Sequence, residues 1–142
     1  MRLLTRSDFD GICCAVLLNE LGLMDEMVYA HPKDLQDGKV PVTDNDILAN
    51  VPFVPGCGLW FDHHSSEKER LLLEKDRDFK GYSKSAPSCA RVIYDHYDGS
   101  EKLRRFDESG LMEAVDKSDS ADLTVDEIRD PKDWVLLSFV MD

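Results

Sequence analysis

Two short acidic motifs are the strongest candidates for metal or phosphate chemistry in this chain. The first is Asp8-Phe9-Asp10-Gly11, which follows an apolar strand predicted over Met1–Thr5. Alternate residues just beyond a strand can converge on one point where the backbone turns, and the amino terminus of the next helix offers N–H groups that suit phosphate oxygens. The same residues are also explained by an aspartate that caps the helix and by an Asp-Gly turn.

The second motif, Asp62-His63-His64, directly follows a short apolar strand predicted over Leu59–Phe61. Adjacent imidazoles behind a carboxylate are unusual in a chain with only four histidines. One histidine could bind a metal and the other a phosphate oxygen or a bound water; alternatively, one is exposed and the other bonds a backbone carbonyl. Ligand sites in open parallel sheets gather at the carboxyl ends of the strands. Both motifs are predicted there, which favours one shared site.

The order of the elements predicts an α/β fold. A strand, a loop, a helix and a second strand within the first 30 residues form a βαβ unit, which implies a parallel sheet. The predicted strands are Met1–Thr5, Met27–Ala30, Ile47–Val51 and Leu59–Phe61. The predicted helices are Ile12–Leu21, Ser65–Glu74, Pro87–Tyr97 (ended by Gly99), Leu111–Asp122, Thr124–Ile128 and Trp134–Met141, whereas Pro32–Asp46 and Gly81–Ser85 are predicted to be connections.

The composition excludes several classes of protein. The 142 residues include 17 Lys and Arg against 29 Asp and Glu, a formal charge of −12, which opposes binding to phosphates unless cations reverse the local sign. No apolar run approaches the roughly 20 residues needed to span a bilayer, and the amino terminus is unlike a signal peptide. We therefore expect a cytoplasmic protein that binds neither membranes nor long duplex nucleic acids.

Several other side chains have simpler explanations as packing residues. The cysteines form no C-x-x-C motif, and Cys13, Cys14 and Cys89 lie in apolar helical runs where cysteine behaves as a small buried residue. We predict that both tryptophans lie in the core and that His96 is a core or boundary residue. His31 ends a strand near the expected site, which allows a substrate contact.

The segment from Thr5 to Ile12, followed by Phe61-Asp62-His63-His64, resembles the DHH phosphoesterases. That family includes single-strand exonucleases, oligoribonucleases, exopolyphosphatases, cyclic-dinucleotide phosphodiesterases and family II pyrophosphatases. The resemblance covers residues 1–142 as the amino-terminal catalytic domain of such proteins. It implies a doubly wound, mostly parallel sheet with helices on both faces and two divalent ions, usually Mn²⁺, with Mg²⁺ as an alternative.

The resemblance also implies roles for individual residues. Asp8, Asp10 and His63 match metal ligands, and His64 matches the histidine that meets substrate phosphate, while Arg6 replaces a histidine of many relatives and could stabilise charge during catalysis. The last family motif is an aspartate after a helix, for which Asp119 fits better than Asp116. The other candidates are Gly11, Ser85 and Ser88 for substrate binding, with helix capping as the simpler role of the serines, and Asp62 as a second-choice metal ligand.

Asn50 departs from the family pattern. Relatives end the third strand with an aspartate that bridges both ions, whereas this strand ends at Asn50 and carries Asp46 at its beginning. An amide oxygen can bind a metal but lacks the charge that holds two cations close together. The site then either uses Asn50 as a neutral bridge or holds one ion firmly and the other loosely.

The resemblance implies a metal-dependent phosphohydrolase that cleaves a phosphodiester or phosphoanhydride with a metal-activated water. Short oligonucleotides and polyphosphate are the expected substrates. The alternative is an impaired family member that binds a nucleotide or a single metal, and a third hypothesis is an interaction module. No carboxyl-terminal substrate-binding domain follows the motifs, so we expect either a fragment or a member that lacks it.

Overall fold

A parallel five-stranded sheet forms the centre of the part of the chain that the structure describes. The structure is a computed structural model, which describes residues 1–64 and 80–141. The strands are β1 (Arg2–Thr5), β2 (Glu26–Tyr29), β3 (Asp46–Ala49), β4 (Leu59–His64) and β5 (Gly81–Ser85). Their order is β2-β1-β3-β4-β5, and every neighbouring pair is parallel. The strand order reverses between β1 and β3, where open sheets of this kind form ligand sites.

Helices connect and cover these strands. They are α1 (Phe9–Glu20), α2 (Pro32–Gln36), α3 (Cys89–His96), α4 (Gly99–Lys102), α5 (Arg104–Glu108), α6 (Leu111–Asp119), α7 (Val125–Arg129) and α8 (Asp133–Met141). The helix predicted at Ser65–Glu74 lies outside the described residues. Thr124 caps α7 through a reciprocal capping box with Glu127, as its Thr-x-x-Glu sequence predicts.

Apolar side chains pack on both faces of the sheet because successive strand residues point to opposite sides. Leu3, Ile47 and Phe61 face a core built with α1, α3 and α6, in which Cys13, Cys14 and Cys89 are buried as predicted. Leu48 and Trp60 face a smaller core that includes Leu35 of α2. The predicted α/β class, with a doubly wound parallel sheet and helices on both faces, is therefore confirmed.

The prediction of a loop at Gly81–Ser85 was wrong, because this segment is the edge strand β5. Its sequence is polar and carries no apolar run, but it pairs along its full length with β4. A side chain at Gly81 would place its Cβ 2.2 Å from the carbonyl oxygen of Trp60. The glycine therefore permits a close approach of two backbones, a tertiary requirement that resembles a loop signal in the sequence.

Two further predictions for the carboxyl-terminal third were wrong. Gly99 begins α4 rather than ending the preceding helix, which stops at His96. Trp134 is 37% exposed rather than in the core, because its indole lies at the surface, where its Nε1–H donates to the carbonyl of Ser109.

His96 is exposed and stacks on Tyr82, so it lies at the boundary. Among the described helices, none is both long and apolar enough to cross a bilayer.

Candidate metal centre

The carboxyl ends of β1, β3 and β4 bring the two acidic motifs together. Asp8 caps α1, and its Oδ1 accepts a hydrogen bond from the Gly11 N–H at 2.8 Å. A Cβ on residue 11 would lie 2.0 Å from the carbonyl oxygen of Arg6, so the tight entry into α1 requires glycine. The Gly11 N–H is thus bonded within the protein. This turn places Asp10 in the first turn of α1, facing the interior.

Asp10 is a buried carboxylate that backbone amides of another helix hold in place. It is 2% exposed, and its two oxygens accept hydrogen bonds of 2.9 Å from the N–H groups of Cys89 and Ala90 in the first turn of α3. Burial and the negative charge of Asp119 raise the pKa of Asp10 to about 7, although the two N–H groups and His63 oppose that shift. A cation beside Asp10 would favour its charged form.

His63 is oriented by a second hydrogen bond on the far side of its ring. Its Nδ1 lies 3.1 Å from the carbonyl oxygen of Ala86, so Nδ1 carries the proton and Nε2 faces the acids. Nε2 lies 3.1 Å from Asp119 and 3.9 Å from Asp10. Burial lowers the pKa of His63, but the hydrogen bond to Asp119 and the charges of both acids raise it to about 9.

These three residues have the donor set of a divalent metal site. One ligand atom from each of Asp10, His63 and Asp119 lies within 4.8 Å of the other two. Two carboxylates and an imidazole with its distal nitrogen anchored to a backbone carbonyl are typical metal ligands. Without a cation, burial of Asp10 and the negative charge of Asp119 disfavour the ionised form of Asp10 and raise its pKa. A cleft of about 90 Å³ opens beside Asp10 and Asp119, with Asp8 also in its wall. The residues therefore fit a divalent cation.

Asp116, the other candidate acid of α6, has a different set of partners. Its Oδ1 accepts from the Ser88 hydroxyl at 2.7 Å, and its Oδ2 accepts from Arg91, with Nη2 at 2.8 Å and Nε at 3.0 Å. Ser88 is fully buried and caps α3 by accepting from the Arg91 N–H. Asp116 and Ser88 thus tie α6 to α3, while Asp119, one turn further along α6, faces His63.

Asn50 lies next to Asp8 at the point where the strand order reverses. Its Nδ2 donates to Asp8, at 3.1 Å from Oδ1 and 3.4 Å from Oδ2. The backbone of Asn50 is left-handed, with φ of 61°, a conformation that asparagine tolerates better than most residues. Its N–H donates to the carbonyl of Phe61 at 3.1 Å. Asn50 is therefore a neighbour of Asp8, and its side-chain amide nitrogen, rather than its amide oxygen, faces that carboxylate.

The remaining candidates surround this centre. Arg6 is half-exposed, with its Nε 3.5 Å from Asp8. Asp62 accepts a hydrogen bond from the His63 N–H, and Ser85 is exposed at the end of β5. His64 ends β4, and its side chain lies outside the description.

Backbone groups also hold the site residues in place, and the residue types in the sequence could not predict which groups these are. The Cys89 and Ala90 N–H groups hold Asp10, and the Ala86 carbonyl orients His63. The one sequence feature that pointed to these N–H groups is Ser88. Its position before an apolar helix predicts a helix cap, and the first N–H groups of a helix have no partner within that helix.

A solved structure is similar to this chain over nearly its whole length. No family model and no curated protein matches the sequence. That structure, described as the pGpG-specific phosphodiesterase PggH from Vibrio cholerae, is similar with a TM-score of 0.82 and 46% sequence identity. The match covers 99% of this chain and 44% of that chain, so the present chain spans less than half the length of that protein. Given this similarity and the two motifs at the carboxyl edge of the sheet, the chain is a DHH-type domain.

Proposed function

We propose that this domain performs divalent-metal-dependent hydrolysis of the phosphodiester bond of short oligonucleotides. The observation that carries the proposal is the cluster of Asp10, His63 and Asp119, whose ligand atoms converge at the carboxyl edge of the sheet. The similarity to a pGpG-specific phosphodiesterase favours a phosphodiester over a phosphoanhydride substrate. A dinucleotide of that kind also suits a protein of charge −12, since it presents few phosphates to the surrounding acidic surface.

Asp10, His63 and Asp119 would hold one cation, and Asp8 with Asn50 would contribute to a second. Carboxylates suit Mn²⁺ and Mg²⁺ alike, whereas the imidazole favours Mn²⁺, so we propose Mn²⁺ as the preferred metal. Divalent cations bound at such a site lower the pKa of a water molecule towards neutrality and offset the charge of the phosphate oxygens.

Backbone groups of the protein hold the proposed metal ligands in position. The α3 amides fix Asp10, and the Ala86 carbonyl keeps the proton of His63 on Nδ1, so that Nε2 presents a lone pair. Arg6, beside Asp8, would stabilise charge on the phosphate, and His64 would contact the same phosphate. In the reaction the oxygen of water bonds to phosphorus, the bond from phosphorus to the leaving 3′ oxygen breaks, and that oxygen takes a proton.

The test is hydrolysis of pGpG, followed by chromatographic separation of the guanosine monophosphate product. We expect turnover with Mn²⁺ and none after chelation. Asp119→Asn should lower kcat by about 100-fold or more, as removal of a group that holds a metal does. Asp122→Asn is the matched control, because Asp122 lies three residues away and is exposed; it should leave turnover unchanged. Equal turnover in Asp119→Asn and wild type, or none in wild type with Mn²⁺, would contradict the proposal.

A second candidate function is binding of a nucleotide or one metal without efficient catalysis. The observation that favours it is the Asn50 amide, which donates to both oxygens of Asp8 and so competes with a cation for them. Asn50→Asp separates the two candidates. A large gain in pGpG turnover would show that the natural site is impaired, whereas a loss would show that Asn50 is a working part of an active site.

A further inference from the structure

A larger cavity adjoins the metal centre on the side of β2. It measures about 680 Å³ and is lined by residues at the ends of β1 and β2, among them Arg6, Tyr29 and His31, and by Met141 of α8. This volume lies within the range of about 300–1,000 Å³ that is usual for small-molecule sites. Asp8 lines both this cavity and the small cleft beside Asp10 and Asp119. A ligand with its phosphate at the metal centre could therefore extend into the cavity.

Tyr29 gives this cavity an exposed aromatic wall. It is the last residue of the edge strand β2, paired in register with Thr5 at the end of β1, and it is 47% exposed. The Tyr29 side chain forms part of the cavity wall. Every nucleobase has a flat face that can stack on such a ring, and stacking of this kind does not require a particular sequence.

The polar groups of the cavity also suit a nucleotide. His31 caps α2, and its Nδ1 accepts a hydrogen bond from the Lys33 N–H at 3.1 Å. The neutral ring then carries its proton on Nε2, which is a donor for the edge of a base. Arg6 places a half-exposed cation on the same wall, close to Asp8. The cavity thus combines an aromatic face, a donor and a positive charge next to the expected phosphate position.

We propose that this cavity is a nucleobase subsite, in which the base of a nucleotide stacks on Tyr29 while its phosphate lies at the metal centre. The proposal rests on the proposed function and deepens it, because it makes the base, and not the phosphate alone, a source of affinity. Tyr29 is then a binding residue that no sequence motif marks.

The test compares two probes that differ by a base. Guanosine 5′-monophosphate carries both base and phosphate, whereas ribose 5-phosphate carries the phosphate alone, and binding of each is measured by calorimetry in excess Mn²⁺. Tyr29→Ala should weaken the binding of guanosine 5′-monophosphate about tenfold, which equals about 1.4 kcal/mol. It should leave the binding of ribose 5-phosphate unchanged, and that binding also reports that the variant is folded. Tyr29→Phe keeps the ring and should bind both probes as the wild type does.

Tyr82 supplies a matched control, since it is similarly exposed on the opposite edge strand and stacks on His96. Tyr82→Ala should bind both probes normally. If Tyr29→Ala binds guanosine 5′-monophosphate as tightly as the wild type, the subsite is overturned while the metal centre stands. An equal loss for both probes also overturns it, because the effect is then not that of the base. If the wild type binds neither probe, both the subsite and the proposed function fail.

Discussion

At the scale of single residues, the site is a cluster of groups that are poorly compatible without a cation. Asp10 and Asp119 bring like charges together, and Asp10 is also buried. In the absence of a metal the protein compensates with protons: the pKa of Asp10 is raised to about 7, and that of His63 to about 9. A bound divalent cation would replace those protons, because metal ligands must be deprotonated.

The stability of the metal-free protein should therefore fall as the pH rises. A group whose pKa is raised by folding stabilises the native state below its ordinary pKa, and that contribution is lost as the pH passes through the native value. For His63 the loss runs from its ordinary value of 6.5 to about 9, and for Asp10 it is complete near 7. Thermal unfolding in chelator should show a Tm that declines across this window.

The raised pKa values of Asp10 and His63 also predict how metal binding depends on pH. Because Mn²⁺ must displace the proton of His63, whose pKa is raised from 6.5 to about 9, its stabilising effect should grow as the pH rises between these values. Thermal unfolding with and without Mn²⁺ across that range measures the effect as the difference in Tm. A difference that stays constant with pH would mean that His63 is not a ligand.

Substitution of a single buried acid tests the position of the metal. Asp10→Asn should abolish the rise in Tm that Mn²⁺ causes, because an amide carries no charge to hold the cation. The matched control is Asp46→Asn, since Asp46 is equally buried but lies at the opposite end of the sheet, paired with Arg2 at 2.9 Å. That variant should unfold at a lower temperature and still gain stability from Mn²⁺. A full Mn²⁺ response in Asp10→Asn would place the metal elsewhere.

At the scale of elements, α3 organises the site although it supplies no metal ligand among our candidates. Its first-turn N–H groups hold Asp10, and its cap residue Ser88 bonds Asp116 of α6. Arg91, also in the first turn of α3, pairs with the same acid. These contacts determine the distance between α1 and α6, and hence between Asp10 and Asp119. The geometry of the metal site thus depends on how three helices pack.

Loss of the α3 cap should accordingly affect both stability and metal binding. Ser88→Ala removes a helix cap and a buried hydrogen bond, which should lower the free energy of unfolding by about 1–2 kcal/mol. It should also weaken Mn²⁺ binding by about tenfold, because outer-shell partners position the ligands. Ser85→Ala, at an exposed position in the same region, should change the free energy of unfolding by less than about 0.5 kcal/mol. Chemical denaturation and Mn²⁺ titration measure the two effects; identical behaviour of the two variants would contradict this role of α3.

At the scale of the whole molecule, a strongly acidic protein would have to bind the anionic substrate that we propose for it. With a charge of −12, we expect the protein to repel long nucleic acids, whose binding depends on many simultaneous phosphate contacts with basic side chains. Local cations at Asp10, His63 and Asp119 would reverse the sign only at the carboxyl edge of the sheet. The charge distribution therefore favours substrates with few phosphates.

This contrast predicts selectivity by length. In Mn²⁺ and low salt, the protein should bind guanosine 5′-monophosphate but show no measurable binding to a fluorescent DNA duplex of about 20 base pairs. Fluorescence anisotropy measures binding of the labelled duplex, and calorimetry measures binding of the mononucleotide. Tight duplex binding that weakens steeply with added salt would reveal a basic surface and contradict the prediction.

Much of the fold followed from local patterns. The apolar strands and the capped α1 and α7 carry local signals in the sequence, so hydrophobic runs and capping residues were sufficient to predict them. The strand β5 could not be predicted in this way, because its polar residues are held by hydrogen bonds to β4. Trp134 was misplaced for a related reason: its apolar ring suggested burial, whereas its hydrogen bond to Ser109 lies at the surface.

The sequence by itself determined which residue types could bind a metal and that they lie at strand ends, because parallel strands bring their carboxyl ends to one edge. The resemblance favoured Asp119 over Asp116, but the physical reason is tertiary: Ser88 and Arg91, more than twenty residues away, bond Asp116 of α6 and leave Asp119 of the same helix next to His63. The sequence also could not show that the Asn50 amide faces Asp8, or that Tyr29 lines a cavity beside them. Only the packing of distant segments settles such contacts, because each depends on the relative positions of whole elements.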